Sequence, residues 1–206
     1  IAYRANVNGM DALHKGIELD FVYKIQHNLS VEGLLSLGDW KWNSADTVRF
    51  LDDNNNPILD DFNNEVIATF DAVGVHVGDA AQTQYGLSLR YEPTFNSYIK
   101  IRGTLFDNYY SDFDPLSLNG ENARMESWKI PSYTLFDLHC GYKIKLSPKH
   151  KLNLRFSILN LLDEIYISDA QNNDPYNANH QDFDAKSAGV FFGLGRRFNL
   201  SATINF

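Results

Sequence analysis

The strongest constraint on this chain is a period of two in its hydrophobicity. Over residues 16–26, Ile17, Leu19, Phe21, Tyr23 and Ile25 fall on one side. Glu18, Asp20, Val22 and Lys24 fall on the other. Successive side chains of a strand point to opposite faces, so the segment reads as a strand with one apolar and one mostly polar face. A helix would need apolar residues three and four apart, which the segment lacks. The same alternation returns over 29–37, 85–91, 99–105, 136–144, 152–158 and 198–206, which gives seven strands. A weaker eighth runs over 1–7, with Ile1, Tyr3, Ala5 and Val7 on one side.

The connections divide these strands further. Gln26-His27-Asn28, 92–97 and 147–151 are tight turns, whereas 43–80, 109–131 and 169–186 are long and polar. Short and long connections alternate strictly. Outer-membrane barrels show this asymmetry, with short periplasmic turns and long extracellular loops, and a soluble sandwich has no reason to keep it. The length of 206 residues would allow a single soluble core. The composition argues otherwise, because aromatic residues make up 14% of the chain while its mean hydropathy is −0.34. That combination suits a wall with one greasy face, one wet face and polar loops. No apolar run reaches the length of a membrane-spanning helix; Val190-Phe191-Phe192 is typical of the longest. The start of the chain, Ile1-Ala2-Tyr3-Arg4, has no signal-peptide character.

A lone Cys140 excludes an internal disulfide and a cysteine-based metal site. The net charge of −8, without a basic patch in the sequence, argues against nucleic acid as a partner. No internal repeat at a fixed period is expected, and no domain linker. Within the first long loop, Val48-Arg49-Phe50-Leu51 and Ile58-Leu59 are expected to form a small hairpin around the turn Asp52-Asp53-Asn54-Asn55-Asn56-Pro57.

Four segments carry a family resemblance. Tyr133-Thr134-Leu135-Phe136-Asp137-Leu138-His139-Cys140-Gly141-Tyr142 resembles the YTxxDLxxxY strand of TonB-dependent receptors. Leu159-Asn160-Leu161-Leu162-Asp163-Glu164-Ile165-Tyr166 resembles their xNLFDxxY segment. Gly195-Arg196-Arg197-Phe198 and the residues to Phe206 are similar to their closing strand, and His14-Lys15-Gly16-Ile17-Glu18-Leu19 to an xxGxE strand opening. The wording of Val77-Gly78-Asp79-Ala80 and Tyr166-Ile167-Ser168-Asp169-Ala170 is similar to receptors of the Bacteroidetes group. The resemblance implies an all-β, antiparallel transmembrane barrel of 22 strands around an N-terminal plug. Seven to eight strands are about a third of such a barrel. The whole of 1–206 is therefore expected to be the C-terminal portion of a receptor barrel, without a plug.

The implied function is energised import of a scarce nutrient, ferric chelates first, with cobalamin, glycans and peptides as alternatives. The implied partners are outer-membrane lipid, the rest of the receptor, the TonB complex acting through that rest, the barrel-insertion machinery and the cargo. A complete eight-stranded barrel with a structural or adhesion role is the competing reading; it requires 1–7 to pair with the last strand.

Neither a cofactor, a resident metal nor a catalytic residue is expected. Asp137 and His139 share the polar face of one strand and could in principle exchange a proton, but neighbours lining a wet lumen explain them as well. Asp52, Asn54 and Asn56 have the spacing of a calcium-loop start, but Pro57 replaces the required glycine and Asn63 the required glutamate. Trp40, Trp42, Tyr109, Tyr110, Phe113, Trp128 and Tyr133 cluster at loop ends. Most are expected to belong to an interfacial aromatic girdle. Trp40 and Trp42, on the polar side of their strand, and Tyr110 are the expected cargo contacts at the barrel mouth. In the last strand, Phe198, Leu200, Ile204 and Phe206 are expected to form the assembly signal.

Overall fold

The computed structural model describes residues 10–52, 54–172 and 183–206. The weak strand expected over 1–7, and its pairing with the last strand, lie outside the described residues.

In chain order the strands begin with β1 (Ala12–Gln26), β2 (Leu29–Trp42), β3 (Ala45–Arg49) and β4 (Ile67–Asp71). β5 (Thr83–Thr94), β6 (Ser97–Asp107), β7 (Tyr109–Tyr110), β8 (Asp112–Phe113) and β9 (Lys129–Ile130) follow. The last are β10 (Tyr133–Lys145), β11 (Lys151–Leu159), β12 (Ile167–Asn172), β13 (Gly189–Phe192) and β14 (Arg197–Asn205). Seven of them form one sheet in the order β1-β2-β5-β6-β10-β11-β14, and each neighbour pair is antiparallel. This is the expected all-β antiparallel wall. Among the described residues the sheet is open, with β1 and β14 as its edges.

The register makes the alternation continuous across the wall. One row runs Tyr23, Val31, Leu89, Ile101, Leu138, Ile158 and Phe198, through every strand of the sheet. The adjacent row on the other face runs Lys24, Ser30, Arg90, Lys100, His139, Ser157 and Asn199. A one-residue slip anywhere would exchange the two faces, so the pattern itself holds the register. The apolar face is uncovered: Ile17 is 67% exposed, Leu87 61% and Leu200 74%. Glycines on this face sit beside aromatic rings. A Cβ on Gly33 would lie 2.1 Å from the Phe21 ring, and one on Gly103 2.9 Å from that of Phe136. Each ring covers the backbone that its partner's missing side chain leaves bare.

The buried apolar core lies elsewhere. Phe70, Ala72, Val75, Ala81, Tyr109, Phe113, Leu118, Ile130 and Ala170 are the buried apolar residues described, and none belongs to the seven wall strands. All sit in the long connections, at one end of the sheet. At the opposite end the wall strands are joined by short turns, such as the one between Gln26 and Leu29.

Candidate functional site

The long-loop end is a folded module. The first connection leaves β2 through β3, which pairs with β4 rather than with 58–59. The expected small hairpin is therefore present only as a short bridged turn, beyond the β3–β4 pair. Around the expected turn a Leu51–Pro57 bridge forms, the Asp52 amide donates to the Asn56 carbonyl at 2.8 Å, and the Ile58 amide donates to the Phe50 carbonyl at 2.8 Å. The segment between β3 and β4 also contains a repeat that the sequence reading missed, Asp52 to Leu59 followed by Asp60 to Ile67. In each copy the leading aspartate accepts from two backbone amides: Asp52 from Asn54 and Asn56, Asp60 from Phe62 and Asn64. Asn55 and Asn63 occupy the same left-handed position, at φ 64° and 65°. The Phe50, Ile58 and Val66 amides each bond to the next carbonyl around a closed ring of three. The signal was present as Asp-Asp-x-Asn-Asn at a spacing of eight. Both Asp52 oxygens are occupied by the turn, because Asn56 Nδ2 also donates to Oδ2 at 3.2 Å. This describes the segment better than a calcium loop does. The donated amides hold Asp52 and Asp60 below the ordinary carboxylate pKa.

Three connections lock together around this module. Phe70, Ala72 and Val75 pack with Phe113 and Leu118, and Trp42, Val48 and Phe183 close over them. A second cluster joins Ala81, Tyr109, Ile130 and Ala170, flanked by Trp128, Tyr133 and Ile167. The Asp71 amide donates to the Leu118 carbonyl at 2.8 Å, and the Arg124 guanidinium lies 2.7 Å from the Asp71 carboxylate. That guanidinium, with the Val73 amide, lowers the Asp71 pKa. Ser111 and Asn172 bond to each other, and Asn172 Nδ2 donates to the Asp184 carbonyl at 3.1 Å. The Tyr109 hydroxyl donates to the Ser168 carbonyl at 2.7 Å, and burial pushes its pKa up to about 12. Gln82, only 1% exposed, joins β2 to the loops: its Oε1 accepts from the Trp40 amide, and its Nε2 donates to the Trp40 and Val77 carbonyls. Nothing in the sequence pattern marks Gln82, because its partners are 42 and five residues away.

The aromatic residues therefore divide differently from the expected girdle. Tyr109 and Phe113 are loop core, at 6% and 4% exposure. Trp42, partly buried, packs against that core. Trp40 stacks on His14 across β1 and β2, with ring centroids 5.2 Å apart. Tyr110 stacks on His76 at 4.2 Å, with the rings 2° from parallel. His76 is in turn held by Glu126, at 2.6 Å from Nδ1, and lies 3.8 Å from Asp39. Of the three expected mouth contacts, Trp40 and Tyr110 thus stand in stacked aromatic pairs, and Trp42 is partly buried against the loop core.

The motif residues form a latch beside this module. Asp137 accepts from the Asn160 amide at 2.9 Å. Asn160 receives the Glu164 amide and donates to the Glu164 and Leu194 carbonyls. Asp163 accepts from the Arg196 amide at 2.7 Å. Asn160 and Asp163 adopt φ 52° and 58°, a conformation asparagine and aspartate tolerate better than most residues. His139 instead faces Ser157, 2.9 Å away. Among the described residues no hydrogen bond joins Asp137 to His139. Phe198, Leu200, Ile204 and Phe206 line the apolar side of the open β14 edge, with Phe198 stacked on Phe156 at 6.4 Å.

Leu118→Ala should remove about 2–5 kcal/mol from the loop module, since Leu118 is fully buried there. Protease digestion should then cut within 108–131 while the wall stays intact. Lowering the pH should act on the same module. The folded pKa of Asp71 is depressed, so its contribution is complete above the unfolded value of 3.8 and is lost as pH falls through the folded one. Hydrogen exchange at the Arg124 amide, followed from pH 6 to below about 3, reads that loss.

No curated protein matches the chain. A family model described as TonB dependent receptor-like, beta-barrel, matches residues 2–161. With its antiparallel wall, two-faced register and folded loop end, the chain belongs to this family, whose members are outer-membrane transport barrels.

Proposed function

We propose that this chain is the C-terminal part of a receptor barrel, and that the whole receptor imports a scarce nutrient across the outer membrane. The observation that carries this reading is the open seven-stranded wall with one uncovered apolar face. Inside lipid every backbone N–H and C=O must be paired within the protein. The outer edges of β1 and β14 therefore call for further strands, and the family barrel supplies them. The apolar row through Leu138 faces lipid, and the polar row through His139 faces the lumen. The loop module is extracellular, and the short turns and Phe206 are periplasmic. The remainder of the receptor brings the plug and engages the TonB complex. Phe198, Leu200, Ile204 and Phe206 present the apolar side of β14 to the insertion machinery.

The cargo would be met at the mouth by Trp40 and Tyr110. Their stacked, partly open rings suit a flat or aromatic chelate, and a ferric siderophore is the first choice. Glycan, peptide and cobalamin are the alternatives, and a Bacteroidetes origin would suit any of them. The test is uptake of radiolabelled ferric siderophore by iron-starved cells with and without the full-length receptor. Uptake that needs both the receptor and the proton gradient supports the reading. Normal siderophore uptake without the receptor, alongside lost growth on a glycan, would replace the cargo.

A further inference from the structure

We infer that His76 is a pH-sensitive clasp which, when charged, holds the connection 109–131 and its Tyr110 ring against β2. Its consequence for cargo rests on the receptor reading above, which puts Tyr110 at the mouth.

The backbone fixes His76 to the wall. The Trp42 amide donates to the Val75 carbonyl at 2.8 Å, and the Val77 amide to the Trp40 carbonyl at 3.0 Å. Between them His76 is bridged to Lys41. The side chain, 20% exposed, reaches into another connection. Tyr110 of β7 lies flat on its ring. Glu126 grips the residue twice: one carboxylate oxygen accepts from the His76 amide at 3.0 Å, and the other lies 2.6 Å from Nδ1. On the opposite side of the ring, Nε2 lies 3.8 Å from the Asp39 carboxylate of β2.

This arrangement suits an imidazolium. A neutral imidazole has one N–H and one lone pair, so it can donate to only one of two carboxylates. The imidazolium carries an N–H on both nitrogens, and a flat cation is favoured over an aromatic face such as that of Tyr110. Lys41 pairs with Asp39 at 2.9 Å, so that carboxylate stands between two cations. Lys15 is opposite Asp39 on β1. Lys129 and Asp107, 3.0 Å apart, act on Tyr110 from its other side. Burial raises the Tyr110 pKa, so the phenol stays neutral over the range in which histidines titrate.

The contacts at both ring nitrogens belong to the charged form. They are complete at pH values below about 6.5, the ordinary histidine value, and are lost as the pH rises. The Glu126 bond to the His76 amide and the Arg124 pair with Asp71 do not depend on the ring's charge. The neutral form therefore loosens the connection without unfolding it. Acid holds Tyr110 in place, and alkali frees it.

Hydrogen exchange of the full-length protein in micelles tests the clasp without any cargo. Rates are compared at about pH 5.5 and about pH 8, corrected for the intrinsic effect of pH on exchange. Protection in 109–131 should fall about three- to tenfold between the two, while β10 stays unchanged. His76→Gln should give the same protection at both. If that variant fails to assemble, Glu126→Gln, at a more exposed position, should flatten the profile in the same way. Equal protection of the wild type at both pH values overturns the inference. So does a pH response that survives His76→Gln, which would place the titrating group elsewhere. The expected profile in a protein that takes up no ferric siderophore keeps the clasp and removes only its consequence for that cargo.

Discussion

Leu138→Arg should cost about 2–4 kcal/mol in a refolding titration into bilayers, whereas His139→Arg one residue away should cost far less. Leu138 lies in the row that crosses the whole wall from Tyr23 to Phe198. An arginine there must enter hydrocarbon or distort the bilayer around it. His139 belongs to the adjacent polar row, beside Lys100 and Ser157, where a cation has wet, polar neighbours. The pair Phe156→Arg and Ser157→Arg repeats the comparison on β11. The proposed full-length receptor is the appropriate host, because its further strands would cover the open edges of this sheet. Equal costs on both faces would contradict a lipid-facing apolar side.

Removing the Phe206 ring should have the larger effect in cells. Phe206 is 93% exposed, touching His150 edge-on at 5.6 Å, and it ends the apolar series on an open strand. A strand edge with free N–H and C=O groups can be joined by another strand, while the greasy side settles in lipid. If Phe206 is part of that recognition, Phe206→Ala in the full-length receptor leaves unassembled, protease-sensitive chain in the periplasm early after induction. An aromatic that only anchors at the interface gives a different result, normal insertion with a lower melting temperature. The time course of surface appearance separates the two.

The wall was legible in the sequence because each of its strands makes the same binary choice, lipid or water, over many consecutive residues. Tyr23 and Lys24 face opposite ways for the same reason as Leu138 and His139. The loop module carries no such signal. β7, β8 and β9 are two residues long, too short for any periodicity. The partners that hold them, such as Ser111 with Asn172, are distant in sequence. Trp42, Tyr109 and Phe113 were visible as an aromatic cluster at the loop ends. Their packing depends on Leu118 from further along the same connection and on Val75 and Ala170 from other connections, which no local pattern records. The paired aspartate turns were legible in principle, at a spacing of eight, but a search for long repeats passes over a unit that short. The latch residues Asp137, Asn160 and Asp163 were legible as motifs and not as a contact. Their shared role appears only once β10 and the approach to β14 are brought together.

The cores within the long connections bear on how the proposed mouth would discriminate between ligands. Open loops lose conformational freedom when they close on a guest, and that loss is subtracted from affinity. Here much of that ordering belongs to the loop fold itself, because Phe70, Leu118 and Ile130 are buried among the connections. A mouth of this kind is pre-organised. It would select by shape, with tight complexes for guests that fit and little adaptation for those that do not. Widening its range would then require loosening a core residue rather than altering a contact residue.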